Sequence, residues 1–210
     1  MMYNLFPTTE GAYNLYFEEL DGDYDKVDMV DKSPDRTPAR IMQTHAFRAG
    51  REIETEYLPT KLRPKKRKGN LPDLAIHRMG QICSQRFRDV IEALEPGVHQ
   101  FVPVQIVWKD KSVDERPYYW FVPRTRIWTL DHEASNPPLR ENGKYLGYAM
   151  MGEPRPGPIQ PVFRKDGVKD HHIFVEGGIT GHFYASERLK QAVEDAKLTG
   201  VGFSDPLPLI

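Results

Sequence analysis

Apolar positions recur along the chain with two periods, and the change from one to the other marks its elements. After Ser84 the apolar residues are Phe87, Val90, Ile91 and Leu94; after Ser186 they are Leu189, Ala192, Val193 and Ala196. A spacing of i, i+3, i+4, i+7 paints one stripe down an α-helix. Each run opens on a serine, whose hydroxyl can accept a hydrogen bond from a free amide of the first turn. Each also runs into a glycine, Gly97 or Gly200, where the left-handed conformation that ends many helices meets no Cβ clash. Arg86 and Arg188 hold matching places in the two runs, and Phe101 and Phe203 open the strands that follow. An ungapped overlay from the two serines keeps only Ser, Arg, Glu and Phe. Internal duplication and the recurrence of a common helix–glycine–strand unit both fit that overlay.

Elsewhere the period is two. From Val98 to Trp108, Val102, Val104, Ile106 and Trp108 share one face, and Pro103 removes a ladder donor, so this strand should start late, bulge or lie at an edge. Residues 118–122 (Tyr-Tyr-Trp-Phe-Val) are apolar on both faces, and 127–131 follow Pro123 as a second antiparallel strand or the continuation of a bent one. Such aromatic density reads as sheet core. Residues 12–19, 144–150, 169–175, 182–185 and 201–204 complete the expected strands, with Gly177-Gly178 turning one hairpin. Residues 39–57 carry no clear period, and the tail 206–210 is apolar but limited by its prolines.

Charge changes this picture in three places. Asp21, Asp23, Asp25, Asp28 and Asp31 form an acidic turn whose glycine position and missing closing glutamate do not match a calcium loop. Residues 61–70 hold six basic residues in the eight from Lys61 to Lys68 and read as a mobile solvated loop. The run lacks the interleaved aromatics that stack nucleic-acid bases. Residues 132–170 are rich in proline and form a linker or long functional loop. Over the whole chain 29 basic residues balance 30 acidic ones, which gives no global drive toward nucleic acid or membrane. No apolar run approaches a membrane span, and the N-terminus lacks the basic head and apolar core of a signal peptide. A single cysteine, Cys83, excludes an intramolecular disulfide and fits a reducing, cytoplasmic setting.

Candidate chemistry is thin. Cys83 lies between Ile82 and the cap Ser84 and reads as an inert buried thiol. His171, His172 and His182 are the histidines to weigh as ligands, but neighbours in a strand point to opposite faces and cannot share one ion. Glu92 and Glu194 are placed to hold Arg86 and Arg188 as helix-neighbour pairs. No phosphate-cradling loop and no acid–base pair assemble, so no catalytic, metal or cofactor residue is assigned.

The stretch from Ser84 to Val104 resembles the central signature of a bacterial immunity-protein family. That family was first catalogued as a domain of unknown function and then assigned to polymorphic-toxin and type VI secretion systems. The lead-in Leu71-Pro72-Asp73, the segment His171-His172-Ile173-Phe174 and the second run through Phe203 resemble it too. The resemblance implies a cytoplasmic antidote that binds one cognate toxin domain without covalent chemistry. Its motif residues (Ser84, Arg86, Phe87, Gly97, Phe101, Ser186, Arg188, Leu189, Gly200 and Phe203) are then structural. Contact with the toxin falls to the irregular segments, for which Lys65, Lys66, Arg67, Lys68 and Arg155 are the candidates.

The expectation is therefore an α+β protein. An antiparallel or mixed sheet carries a few packed helices, in two halves near 1–130 and 131–210 that can form one compact domain. Two other readings compete: an enzyme that reverses the toxin's modification through His171, His172 or Cys83, and a nucleic-acid-binding module using residues 61–68. A membrane partner is not expected, and a homo-oligomer is left open.

Overall fold

The computed structural model describes residues 1–8, 17–27, 46–65, 68–136, 160–177 and 179–210, and the side chains of 46 and 179–181 are left aside. The described residues form two sheets and three helices, an α+β fold. The first sheet has the order β2 (Phe17–Glu19), β3 (Lys61–Pro64), β6 (Gln100–Ile106), β7 (Tyr118–Val122), β5 (Gln81–Ser84), β4 (Leu74–Ile76). The second runs β11 (Val201–Phe203), β1 (Met2–Pro7), β10 (Ile179–Ser186), β9 (Ile173–Glu176), β8 (Arg126–Ile127). Helix α1 (Gln85–Leu94) follows β5 directly, and α3 (Glu187–Asp195) follows β10 in the same way. A short α2 (Lys165–Val168) precedes β9.

The two helical runs sit in equivalent surroundings. In each, a hairpin (β4–β5 or β9–β10) leads into a serine-capped helix and then a strand (β6 or β11) parallel to the one before the helix. A third strand fills the gap between them, antiparallel to both: β7 in the first module and β1 in the second. The registers agree residue for residue. Phe121 of β7 lies opposite both Gln81 and Phe101, and Leu5 of β1 lies opposite both Phe183 and Phe203. Ser84 faces Tyr118 as Ser186 faces Met2. These are the positions the overlay matches, so the likeness of the two runs is carried by strand pairing as well as by helix period. The modules differ in one respect: β7 follows β6 along the chain, whereas β1 reaches its place from the N-terminus.

Both stripes are buried, as expected. Phe87 and Ile91 of α1 and Leu189 and Val193 of α3 pack in one cluster with Leu74, Cys83 and Phe121 of the first sheet and Leu5, Ile173, Val175, Phe183 and Ala185 of the second. Phe121 is its hub, edge-on to Phe87 at 5.3 Å and stacked with Phe101 at 5.3 Å. The opposite face of β7 (Tyr118, Trp120, Val122) belongs to a second cluster with Phe47, Ile53, Leu58 and Leu62. That two-sided burial is why 118–122 has no polar alternation. A third cluster, around Met2, Phe163, Phe174 and Tyr184, covers the outer face of the second sheet.

Several expectations need correction. Lys61–Pro64, the start of the basic run, is strand β3 and not a loop. It pairs antiparallel with β2 and parallel with β6, with Leu62 and Pro64 buried. Its alternation Lys-Leu-Arg-Pro is strand-like, and Asp21 anchors its start by accepting Thr60 N–H at 2.8 Å and Lys61 N–H at 2.9 Å. Residues 127–131 neither pair with 118–122 nor extend them. Beyond Pro123 the chain crosses to the other sheet, where β8 runs parallel to β9. The strand sought at 169–175 starts only at Ile173, after α2 and a left-handed Lys169. Of the strand placed at 12–19, Phe17–Glu19 is observed as β2, and 12–16 lie outside the described residues, as does the strand placed at 144–150.

Candidate functional site

The seam between the modules is held by two reciprocal clamps. In the first, buried Asp73 precedes β4. Its carboxylate accepts the Ser84 hydroxyl at 2.7 Å, Arg86 Nη1–H at 3.2 Å and, from the far module, Thr199 N–H at 2.8 Å and Thr199 Oγ1–H at 3.1 Å. Thr199 returns its carbonyl to the N–H groups of Asp73 and Leu74. Arg86 also donates to the carbonyl of Ala196 near the end of α3, at 2.6 Å. Ser84 therefore accepts from Phe87 N–H as helix cap while donating to Asp73.

In the second clamp His172 stands where Asp73 stood. Ser186 caps α3 by accepting Leu189 N–H, and its hydroxyl is hydrogen-bonded to His172 Nδ1 at 2.8 Å. Burial lowers the pKa of His172 and favours its neutral ring. Glu95, just past α1, accepts Ile173 N–H at 2.9 Å and His99 Nε2–H at 3.0 Å. His99 Nδ1 accepts Arg124 N–H, which places the ring hydrogen on Nε2. Burial pushes the Glu95 carboxyl up, but the hydrogen bonds from His99 and the backbone of His172 and Ile173 outweigh it and hold the group below its ordinary value.

Beside the first clamp the surface is concave. A cavity of about 380 Å³ is lined by Asp73, Ser84, Arg86, Arg116, Tyr118 and Thr199. A shallower depression of about 570 Å³ lies across Arg116–Tyr118 from it, over Lys61, Pro103, Gln105, Val113 and Tyr119. Arg116 forms the ridge between them, donating from Nε and Nη2 to Asp114 at 2.8 and 2.9 Å. The hydrogen bond from Arg116 lowers the pKa of Asp114 against a raising effect of burial, helped by the Arg116 backbone and by Trp108 Nε1–H. Burial drives the Tyr118 phenol well above its ordinary value, so it stays a neutral donor to the carbonyl of Pro72. Arg88 stacks over Tyr119, 4.8 Å from the ring centre.

Past β6 the chain forms a tight hairpin. Val107 pairs with Val113, and Lys111 N–H bonds the carbonyl of Trp108. Lys111, at the turn, has φ 68°. That left-handed conformation costs an L-residue about 1 kcal/mol or more, and glycine or asparagine ordinarily fills it. Lys68 crosses to this turn, with Nζ 2.9 Å from Ser112 Oγ and 3.9 Å from Asp110.

Ser84 and Ser186 cap α1 and α3, and Phe87 and Leu189 are buried. Gly97 and Gly200 are both left-handed, at φ 69° and 76°. However, α3 has already closed on left-handed Lys197, and Gly200 instead permits the close approach of Leu74 and Pro72 across the seam. Glu92 does not hold Arg86; it accepts Gly97 N–H, while Arg86 serves the Asp73 clamp. Glu194 pairs with Lys190, at 2.7 Å, and not with Arg188. Among the contact candidates, Lys65 and Lys68 are exposed at the end of β3 and beyond it. Lys66, Arg67 and Arg155 lie outside the described residues.

The groups weighed for catalysis do not gather. Cys83 is fully buried and its thiol is driven far up by desolvation. His171 lies 3.7 Å from Glu95, His172 serves Ser186, and His182 meets Asn4. No metal-binding cluster of His, Cys, Asp or Glu occurs among the described residues. Sequence reasoning missed the Asp73–Thr199 clamp, since nothing local links residues so far apart. Nor did it find the left-handed backbone of Lys111 at the hairpin tip, since lysine gives no sign of that conformation.

In comparison with known families, residues 19–206, nearly the whole chain, match the model of an immunity protein family, Imm11. No curated protein matches the chain.

Proposed function

The chain belongs to the Imm11 immunity protein family, and on that premise we propose that it neutralises a cognate secreted toxin domain by binding it non-covalently. Family membership is the observation that carries this reading. The toxin is of the polymorphic or type VI secretion kind, met in the cytoplasm of the cell being protected. Two features of the structure support a binder over an enzyme. Cys83 is fully buried, and His171, His172 and His182 each contact a different residue, Glu95, Ser186 and Asn4. The open concavities are instead lined by arginine and tyrosine, the residue types that anchor protein interfaces.

No helix among the described residues is long and apolar enough to cross a membrane. Co-expression with a toxin domain encoded by an adjacent reading frame, once that frame is identified, tests the proposal. The expected result is survival of the host together with co-purification of the pair. A purified pair that fails to associate at micromolar concentration would overturn it.

A further inference from the structure

We infer that the hairpin tip at Lys109–Lys111, together with the end of β3, is a docking face for an acidic surface of the partner protein. This rests on the toxin-binding reading above and specifies the chemistry of the contact. Lys65 and Lys68 come from the end of β3 and just beyond it, and Lys109 and Lys111 from the hairpin that extends β6. The parallel pairing of β3 with β6 and the Lys68–Ser112 bond bring these four lysines to one edge of the molecule. All four are exposed, and Lys65, Lys109 and Lys111 make no ion pair with a described residue. The whole chain carries a net charge of −1, so a local excess of cations here is a feature of placement and not of composition.

The turn is the place where one substitution can separate charge from backbone conformation. Lys111 holds a left-handed backbone conformation that glycine would adopt without strain, yet the position carries a long cationic side chain exposed to solvent.

A protein suits this edge better than a nucleic acid. The discrete carboxylates of a protein can be set against single lysines and clear of Asp110, Asp114 and Glu115, which a continuous polyanion cannot avoid, and the nearby aromatics Trp108 and Tyr118 are buried and cannot stack on bases. The shallow depression beside the tip exposes Val113 and Pro103, an apolar patch with a charged rim. A cleft that binds nucleic acid must itself be cationic. If the toxin acts on nucleic acid, this face therefore grips it away from its phosphate-binding groove.

The test measures association of the full chain with the purified toxin domain by stopped flow over a range of salt concentrations. K109E/K111E should slow association by about tenfold or more at low salt and flatten its salt dependence, with dissociation little changed. K111G removes one charge while relieving the turn. It should hold or raise the thermal midpoint yet slow association by roughly two- to fivefold. Wild-type association rates in both variants, with binding intact, would overturn this inference and leave the proposed function standing. Wild-type protein that never binds the toxin would sink both. Salt-dependent binding of a random oligonucleotide, lost in K109E/K111E, would reassign the face to nucleic acid and overturn the inference.

Discussion

Asp73 and Thr199 are 126 residues apart in sequence, yet the Asp73 carboxylate receives the Thr199 backbone N–H at 2.8 Å and the Thr199 carbonyl receives the N–H groups of Asp73 and Leu74. This exchange ties the first strand of one module to the end of the other module's helix. Glu95 repeats it in the opposite sense, reaching from beyond α1 to the N–H of Ile173 at the head of β9. The two modules are joined as a pair of related subunits would be, each holding the other at the corresponding place.

Replacing Asp73 by Asn keeps the size of the side chain but presents an amide N–H₂ to donors. Hydrogen bonds to a charged group contribute about 1.5–3 kcal/mol, and buried donors left unmatched cost a similar amount. D73N should lower unfolding free energy in urea by roughly 2–4 kcal/mol. A change within about 0.5 kcal/mol would mean that the clamp is not a determinant of stability.

Glu95 gives stability a pH signature. Its folded-state pKa lies below the ordinary value of 4.5, so the folded protein binds fewer protons there than the unfolded chain. The stabilisation is fully present above that ordinary value and is lost as pH falls through the depressed one. Urea midpoints should therefore drop on acidification below about pH 4.5. E95Q should be less stable at neutral pH and should show a shallower acid limb. An unchanged acid limb in E95Q would assign the loss to other carboxylates.

The two left-handed glycines separate backbone cost from crowding. A Cβ on Gly97 meets nothing within 4 Å, whereas one on Gly200 would collide with the carbonyl of Leu74 and the ring of Pro72. G97A should cost about 1 kcal/mol, the conformational penalty alone. G200A should cost distinctly more, about 2–4 kcal/mol, because the seam must open to admit the methyl group. Equal losses in the two variants would contradict the close approach at Gly200.

Phe121 is buried between both helices and both sheets. F121A should cost about 3–5 kcal/mol, whereas V113A, at a position 45% exposed, should change stability by no more than about 0.5 kcal/mol. Thermal melts of the two variants check the contrast.

What was legible in the sequence was whatever a short window encodes. Ser84 and Ser186 announce their helices because a cap hydroxyl and a 3.6-residue stripe are local, and Tyr118–Val122 announces a buried strand by its aromatic density. Three things were not legible, each for a physical reason. Lys61–Pro64 hides a strand because its charges mask the alternation of Leu62 and Pro64, which the neighbouring strands bury. Met2–Pro7 lies inside its sheet, between β10 and β11, only because partners near residues 183 and 203 recruit it. The Asp73 clamp is invisible because a carboxylate declares its partner through the fold and not through its neighbours. The contact face was sought in the basic run. The contact proposed above adds the Lys109–Lys111 turn to the described end of that run.

Titration of the purified protein into its toxin domain, following toxin activity and complex formation together, bears most directly on the claim of non-covalent neutralisation. Activity should fall in step with occupancy at a fixed stoichiometry, and toxin recovered from the complex under denaturing conditions should refold to full activity with its mass unchanged. Protection by sub-stoichiometric amounts, or a toxin or toxin product returned chemically altered, would show that the protein acts by catalysis and not by binding.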